Sequence, residues 1–74
     1  MPRFYVDSRD IGTDKLVILG DEAKHMKNAL RMQPGDIFVA FDGSGMDYDC
    51  RITSVGAAVE ADILSRRITE VEPT

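Results

Sequence analysis

The hydrophobic and polar positions of this chain change period along its length, and the changes mark out a small, mainly β molecule with one helix. Arg3 to Val6 reads as a short strand, and Leu16-Val17-Ile18-Leu19 as a second, apolar one between a turn near Gly12 and a break at Gly20. Gly20-Asp21-Glu22 then signals a helix start, because acids in a first turn are favoured by the helix dipole. The helix is expected over about residues 21–32, since Gln33 precedes Pro34 and is biased away from helical backbone. Ile37 to Phe41 is apolar at every position, as in a strand covered on both faces. Asp42-Gly43-Ser44-Gly45 predicts a hairpin turn, with two glycines free to take positive φ.

The next stretch alternates with period two. Met46, Tyr48, Cys50 and Ile52 fall on one face; Asp47, Asp49, Arg51 and Thr53 fall on the other. After a turn at Gly56, Val59, Ala61 and Ile63 alternate with Glu60 and Asp62, and the phase slips at Ile63-Leu64, where a bulge or barrel corner would restore it. Ile37, Val39, Phe41, Tyr48, Ile52 and Ile63 are the expected buried positions. On the helix, Ala23, Met26 and Leu30 fall within about 60° of one another and form the core stripe.

A second stripe lies roughly 100° away on the same helix: Lys24, Lys27 and Arg31. It changes the picture that composition gives. The 74 residues carry a formal net charge of −4, which counts against a simple nucleic-acid binder. Yet Ala23 to Gln33 holds those three cations and no acid, whereas acids flank it on both sides. His25 lies off the apolar centre, nearer Asn28 and Met32. The residues alone leave two readings of the stripe open, a solvated helix face or a surface for phosphate oxygens, and Arg31 has the planar fork suited to the second. For His25 the readings are RNA contact or a local structural bond. Arg3, beside Phe4 and Tyr5, either joins that surface or covers the barrel end with its stem.

Length and composition limit the rest. Residues 1–74 make one domain, with enough apolar material, at 43%, for a core. No apolar run reaches the roughly 18 to 20 residues of a membrane span, and the opening Met1 to Asp7 has no apolar stretch of signal-peptide length, so a cytoplasmic location is expected. Cys50 and His25 are the only cysteine and histidine; no metal site is expected, and Cys50 reads as a small core residue. Gly35, Gly43 and Gly45 read as turn glycines, because the phosphate-loop pattern is missing. Asp47 and Asp49 have no catalytic partner in view, and Tyr48 and Phe41 are expected to fill the core. Glu72-Pro73-Thr74 resembles the start of a connector at a domain boundary.

Arg3-Phe4-Tyr5, His25 with Leu30-Arg31-Met32, Gly35-Asp36, Phe41-Asp42-Gly43 and the strand Tyr48 to Ile52 together resemble the N-terminal domain of the RsmE family of ribosomal RNA methyltransferases. The resemblance implies a small PUA-like β-barrel that helps bind RNA, followed by a knotted SPOUT domain that binds S-adenosylmethionine, methylates N3 of a uridine in 16S ribosomal RNA and dimerises. On that reading this chain is the RNA-recognition domain, non-catalytic and without a cofactor of its own. Its partners are ribosomal RNA or the small ribosomal subunit and the SPOUT domain of the same polypeptide. The expected RNA-binding residues are Arg3, Lys24, His25, Lys27 and Arg31. An alternative from a different class is a protein-interaction or structural barrel whose basic helix docks on an acidic partner surface. A free-standing enzyme is a third reading.

Overall fold

The computed structural model describes residues 2–68, so the expected connector at Glu72-Pro73-Thr74 lies outside the described residues. Five strands form one sheet: β1 (Arg3–Tyr5), β2 (Lys15–Ile18), β3 (Ile37–Phe41), β4 (Met46–Val55) and β5 (Val59–Ile68). Their spatial order is β1-β3-β4-β5-β2, with β1 parallel to β3 and every other pair antiparallel. Laid flat, such a sheet would hold β1 and β2 about 19 Å apart at a spacing of about 4.8 Å. Instead Tyr5 and Val6 line one cleft together with Val17 and Ile18, and side chains from all five strands share one core. The sheet is therefore curled into a half-barrel. The fold is the expected one, a mainly β, PUA-like barrel with one short helix.

Two irregularities produce much of the curl. Asp49 pairs with Ser65 but Cys50 with Ile63, which leaves Leu64 as the extra residue of a bulge at the expected phase slip. A second shift falls between Ile52 and Ser54. Gly43 and Gly45 take φ of 83° and 95° in the β3–β4 turn, a backbone that side chains disfavour.

The inner face of the sheet contributes Phe4, Leu16, Ile18, Phe38, Ala40, Tyr48, Cys50, Ile52, Val59 and Ala61 to the core, and the helix adds Ala23 and Met26. Each large apolar side chain removed from water in this way contributes about 1.5 to 3 kcal/mol. Two expected core positions differ: Ile37 is exposed and Phe41 is only half-buried, whereas Val39 is buried as expected, outside the main cluster. The register explains these placements, because Phe38 sits opposite Cys50 and Ala40 opposite Tyr48. It is the even positions of β3 that face inward. Ile63 is half-buried and packs against the core from its edge.

The helix also ends earlier than expected. α1 (Gly20–Lys24) runs on into a π turn over His25–Ala29, and Leu30 donates its N–H to the His25 carbonyl at 3.1 Å. A π turn closes i to i+5 and uses one residue more than an α turn, so the apolar stripe no longer keeps its phase. Leu30 consequently falls outside the core, at 43% exposure, and Met32 is buried in its place. The Met32 N–H bonds back to the Met26 carbonyl at 2.9 Å, which folds the chain over the helix end. From there Gly35 donates to Ile52 O at 2.7 Å and Ile52 to Asp36 O at 2.9 Å, pinning the helix exit to β4.

Candidate nucleic-acid interface

Reversal of the chain over the helix end requires one residue at positive φ, and that residue is Arg31, at 53°. An L-residue there costs on the order of 1 to 3 kcal/mol relative to ordinary backbone, so burial of Met32 and the two bonds around it must offset strain held at an arginine. Lys24 and Lys27 lie one turn apart on the helix with exposed side chains, and Arg31 is exposed just beyond. The Lys27 ammonium donates to the Gly56 carbonyl at 3.3 Å, so the stripe abuts the β4–β5 turn. His25 opens the π turn, exposed, with its ring edge-on to Phe4 at 6.3 Å between centroids. The fold thus places Lys24, His25, Lys27 and Arg31 as exposed residues of one short segment, from the end of α1 to just past the π turn.

Arg3 belongs elsewhere. Adjacent residues of a strand point to opposite faces, and while Phe4 points inward to His25, Arg3 lies on the outer face. Its guanidinium is 4.9 Å from the Phe41 ring centroid and donates to both Asp47 oxygens, at 2.8 and 3.4 Å. Asp47 is only 3% exposed and is approached at 3.8 Å by Arg67, which also donates to Asp49 at 2.9 and 3.0 Å. Ser65 donates to Asp49 as well, and Arg67 and Ser65 together hold its carboxyl down at about 2. The alternation of β4 sets Asp47 and Asp49 on the face away from Tyr48 and Cys50 but does not reveal this ladder; the signal lay in the acids of β4 against Arg66-Arg67, unreadable until β4 and β5 are put in register.

Ion pairing separates the two regions. Among the described residues Arg3, Arg9, Lys15 and Arg67 are paired with carboxylates, whereas Lys24, Lys27 and Arg31 take part in no salt bridge. Arg51 and Arg66 are also outside these pairs, but Arg66 is spent on the Gly12 and Thr13 carbonyls and on the Tyr48 ring. Cys50 is fully buried, and burial pushes its thiol up to about 12, far from the thiolate a nucleophile needs. A cleft of about 190 Å³ opens between β1 and β2, lined by Tyr5, Val6, Val17, Ile18 and Leu19 and by Asp7, Asp10 and Glu22.

The model of the RNA methyltransferase PUA domain family matches residues 18–63, more than half of the chain, from the end of β2 through the helix into β5. The chain belongs to that family. Solved structures agree with the assignment. A predicted RNA methyltransferase from Thermotoga maritima is 29% identical with a TM-score of 0.82 over 100% of this chain. The ribosomal RNA small subunit methyltransferase E from Neisseria gonorrhoeae, bound to S-adenosyl methionine, is 30% identical with a TM-score of 0.80 over 97% of it. A probable rRNA-methyltransferase from Porphyromonas gingivalis is 28% identical, at 0.78 over 95%. This PUA domain spans 34%, 30% and 29% of those three proteins. The resemblance to the RsmE N-terminal domain, read from Arg3-Phe4-Tyr5 and the His25 to Gly43 block, is borne out.

Proposed function

We propose that this PUA domain recognises ribosomal RNA for a cytoplasmic methyltransferase that acts on N3 of a uridine in 16S ribosomal RNA, and that the helix is its contact surface. The observation that carries the reading is the pairing pattern, in which Lys24, Lys27 and Arg31, close together in one exposed segment, take part in no salt bridge among the described residues. Phosphates bound by such a group release counterions without first breaking an internal ion pair. His25 stacks or hydrogen-bonds beside them, and Arg3 acts from the outer face through the part of its guanidinium left open by Asp47.

On this reading the rest of the polypeptide is a SPOUT domain that dimerises and holds S-adenosylmethionine. That cofactor supplies an electrophilic methyl group. The residues that line the cleft do not fit it: at about 190 Å³ the cleft is smaller than the roughly 300 to 1,000 Å³ of small-molecule sites. Binding of the full-length enzyme to small-subunit particles tests the role of the helix. Replacing Lys24, Lys27 and Arg31 together with Ala should weaken that binding at least tenfold while circular dichroism shows an unchanged fold. If particle binding is kept and the two domains of the enzyme instead come apart more easily, the helix is a docking face and the RNA reading fails.

A further inference from the structure

The cleft between β1 and β2 lies where the sheet stops. Both are edge strands, and on the side away from β5 the only bridge to β2 among the described residues joins Leu16 to Ile11. Val6, Val17, Ile18 and Leu19 give the cleft an apolar lining, and Tyr5 and Leu19, 52% and 54% exposed, extend apolar surface past its mouth. Its rim, which includes Glu22 from the first turn of α1, has the opposite sign to the segment holding Lys24, Lys27 and Arg31. Asp7 is tied to Arg9 at 3.2 Å and the Asp10 charge also acts on that guanidinium, but neither Asp10 nor Glu22 takes part in a salt bridge among the described residues.

We propose that this seam is a docking site for an extended, basic segment of a protein partner. One apolar side chain of the segment fills the cleft, its flanking lysines or arginines meet Asp10 and Glu22, and its backbone bonds to the edge of β1 and to Val17 and Ile18 of β2, beyond the stretch that Ile11 and Gly12 already cover. Three features select this occupant. Carboxylates at the rim repel phosphates, which argues against RNA here. A volume of about 190 Å³ suits one or two side chains and lies below the roughly 300 Å³ at which small-molecule pockets begin. An exposed strand edge is a template for pairing with another chain, and pockets for alternate side chains then confer specificity. The inference rests on the cleft and is independent of what the helix binds.

The test uses two synthetic seven-residue peptides titrated into the 74-residue chain and followed by amide chemical shifts: serine-lysine-arginine-leucine-arginine-lysine-serine, and the same with alanine for leucine. The leucine peptide should shift Tyr5, Val17 and Leu19. The alanine peptide should bind about tenfold more weakly, the fold-change expected for losing one buried apolar side chain. The double variant Asp10→Asn, Glu22→Gln should lose about as much, and Leu19→Lys, at an exposed position that cannot disturb the core, gives the same reading should the double variant unfold. Equal binding of both peptides, shifts spread over remote acids such as Asp36 and Asp42, or no binding at millimolar concentration would each overturn the proposal.

Discussion

The outer face of the sheet and the helix both display cations, but only on the sheet are cations held by carboxylates among the described residues. Arg3 and Arg67 converge on Asp47, Arg67 continues to Asp49, and Phe41 and Tyr5 pack edge-to-face at 5.8 Å beneath the Arg3 guanidinium. Lys24, Lys27 and Arg31 have no such partners among the described residues. In an acidic chain, the charges available to a polyanion are set by which cations the fold leaves unmatched, and not by the total. One face therefore serves stability and the other is free to serve binding.

That division predicts a graded set of responses. The largest separates the two sides of β3: Phe38→Ala should cost about 3 to 5 kcal/mol by opening a cavity in the core, whereas Phe41→Ala, half-buried on the outer face, should cost about 1 to 2. Urea unfolding of the two variants measures the difference, and equal losses would mean that the strand faces are misassigned. Next comes Asp47→Ala, which strands two arginines; a loss of about 2 to 3 kcal/mol is expected, less than for a fully buried pair because both arginines remain half exposed. Removing Lys24 or Lys27 should change stability by less than about 0.5 kcal/mol.

A smaller effect of opposite sign belongs to Arg31. Glycine has no steric objection to a φ of 53°, so Arg31→Gly should stabilise the domain by roughly 0.5 to 1 kcal/mol while weakening RNA binding. A stability gain coupled to a binding loss would set strain and function at the same residue. The smallest response is to acid. The Asp49 carboxyl is lowered from 3.8 to about 2 by Arg67 and Ser65, so its contribution is complete above about pH 4 and is lost as pH falls towards 2. Arg67→Ala should remove most of that pH dependence from thermal melts taken between pH 5 and pH 2, and Lys24→Ala should leave it unchanged.

Much of the fold was legible because β4 and β5 alternate and because Gly43, Gly45 and Gly56 punctuate them; the bulge at Leu64 could be placed from the phase slip alone. β3 was not legible in the same way. Five consecutive apolar residues carry no parity, so the inward positions Phe38 and Ala40 emerge only once β3 is set against Cys50 and Tyr48. The helix was misjudged past Ala29 for a related reason, since a wheel at 100° per residue assumes α geometry and a π turn breaks it. Of the candidate interface, Lys24, Lys27 and Arg31 could be grouped from spacing, with His25 set apart from them. The separate engagement of Arg3 could not, because Asp47 lies 44 positions away in the chain and is brought close only by the β1–β3–β4 pairing.

Binding of the full-length enzyme to small-subunit particles across a salt series addresses the central claim most directly, with the two regions neutralised in turn. If Lys24, Lys27 and Arg31 contact phosphates, their joint replacement by Ala should flatten the slope of log K against log salt by roughly 2 to 3 units, at about 0.7 to 0.9 per contact. Replacing Arg67, whose charge is held by Asp49 and Asp47, should leave the slope as it was. An unchanged slope in a folded triple variant, or an equal flattening on loss of Arg67, would contradict the division of labour between helix and sheet.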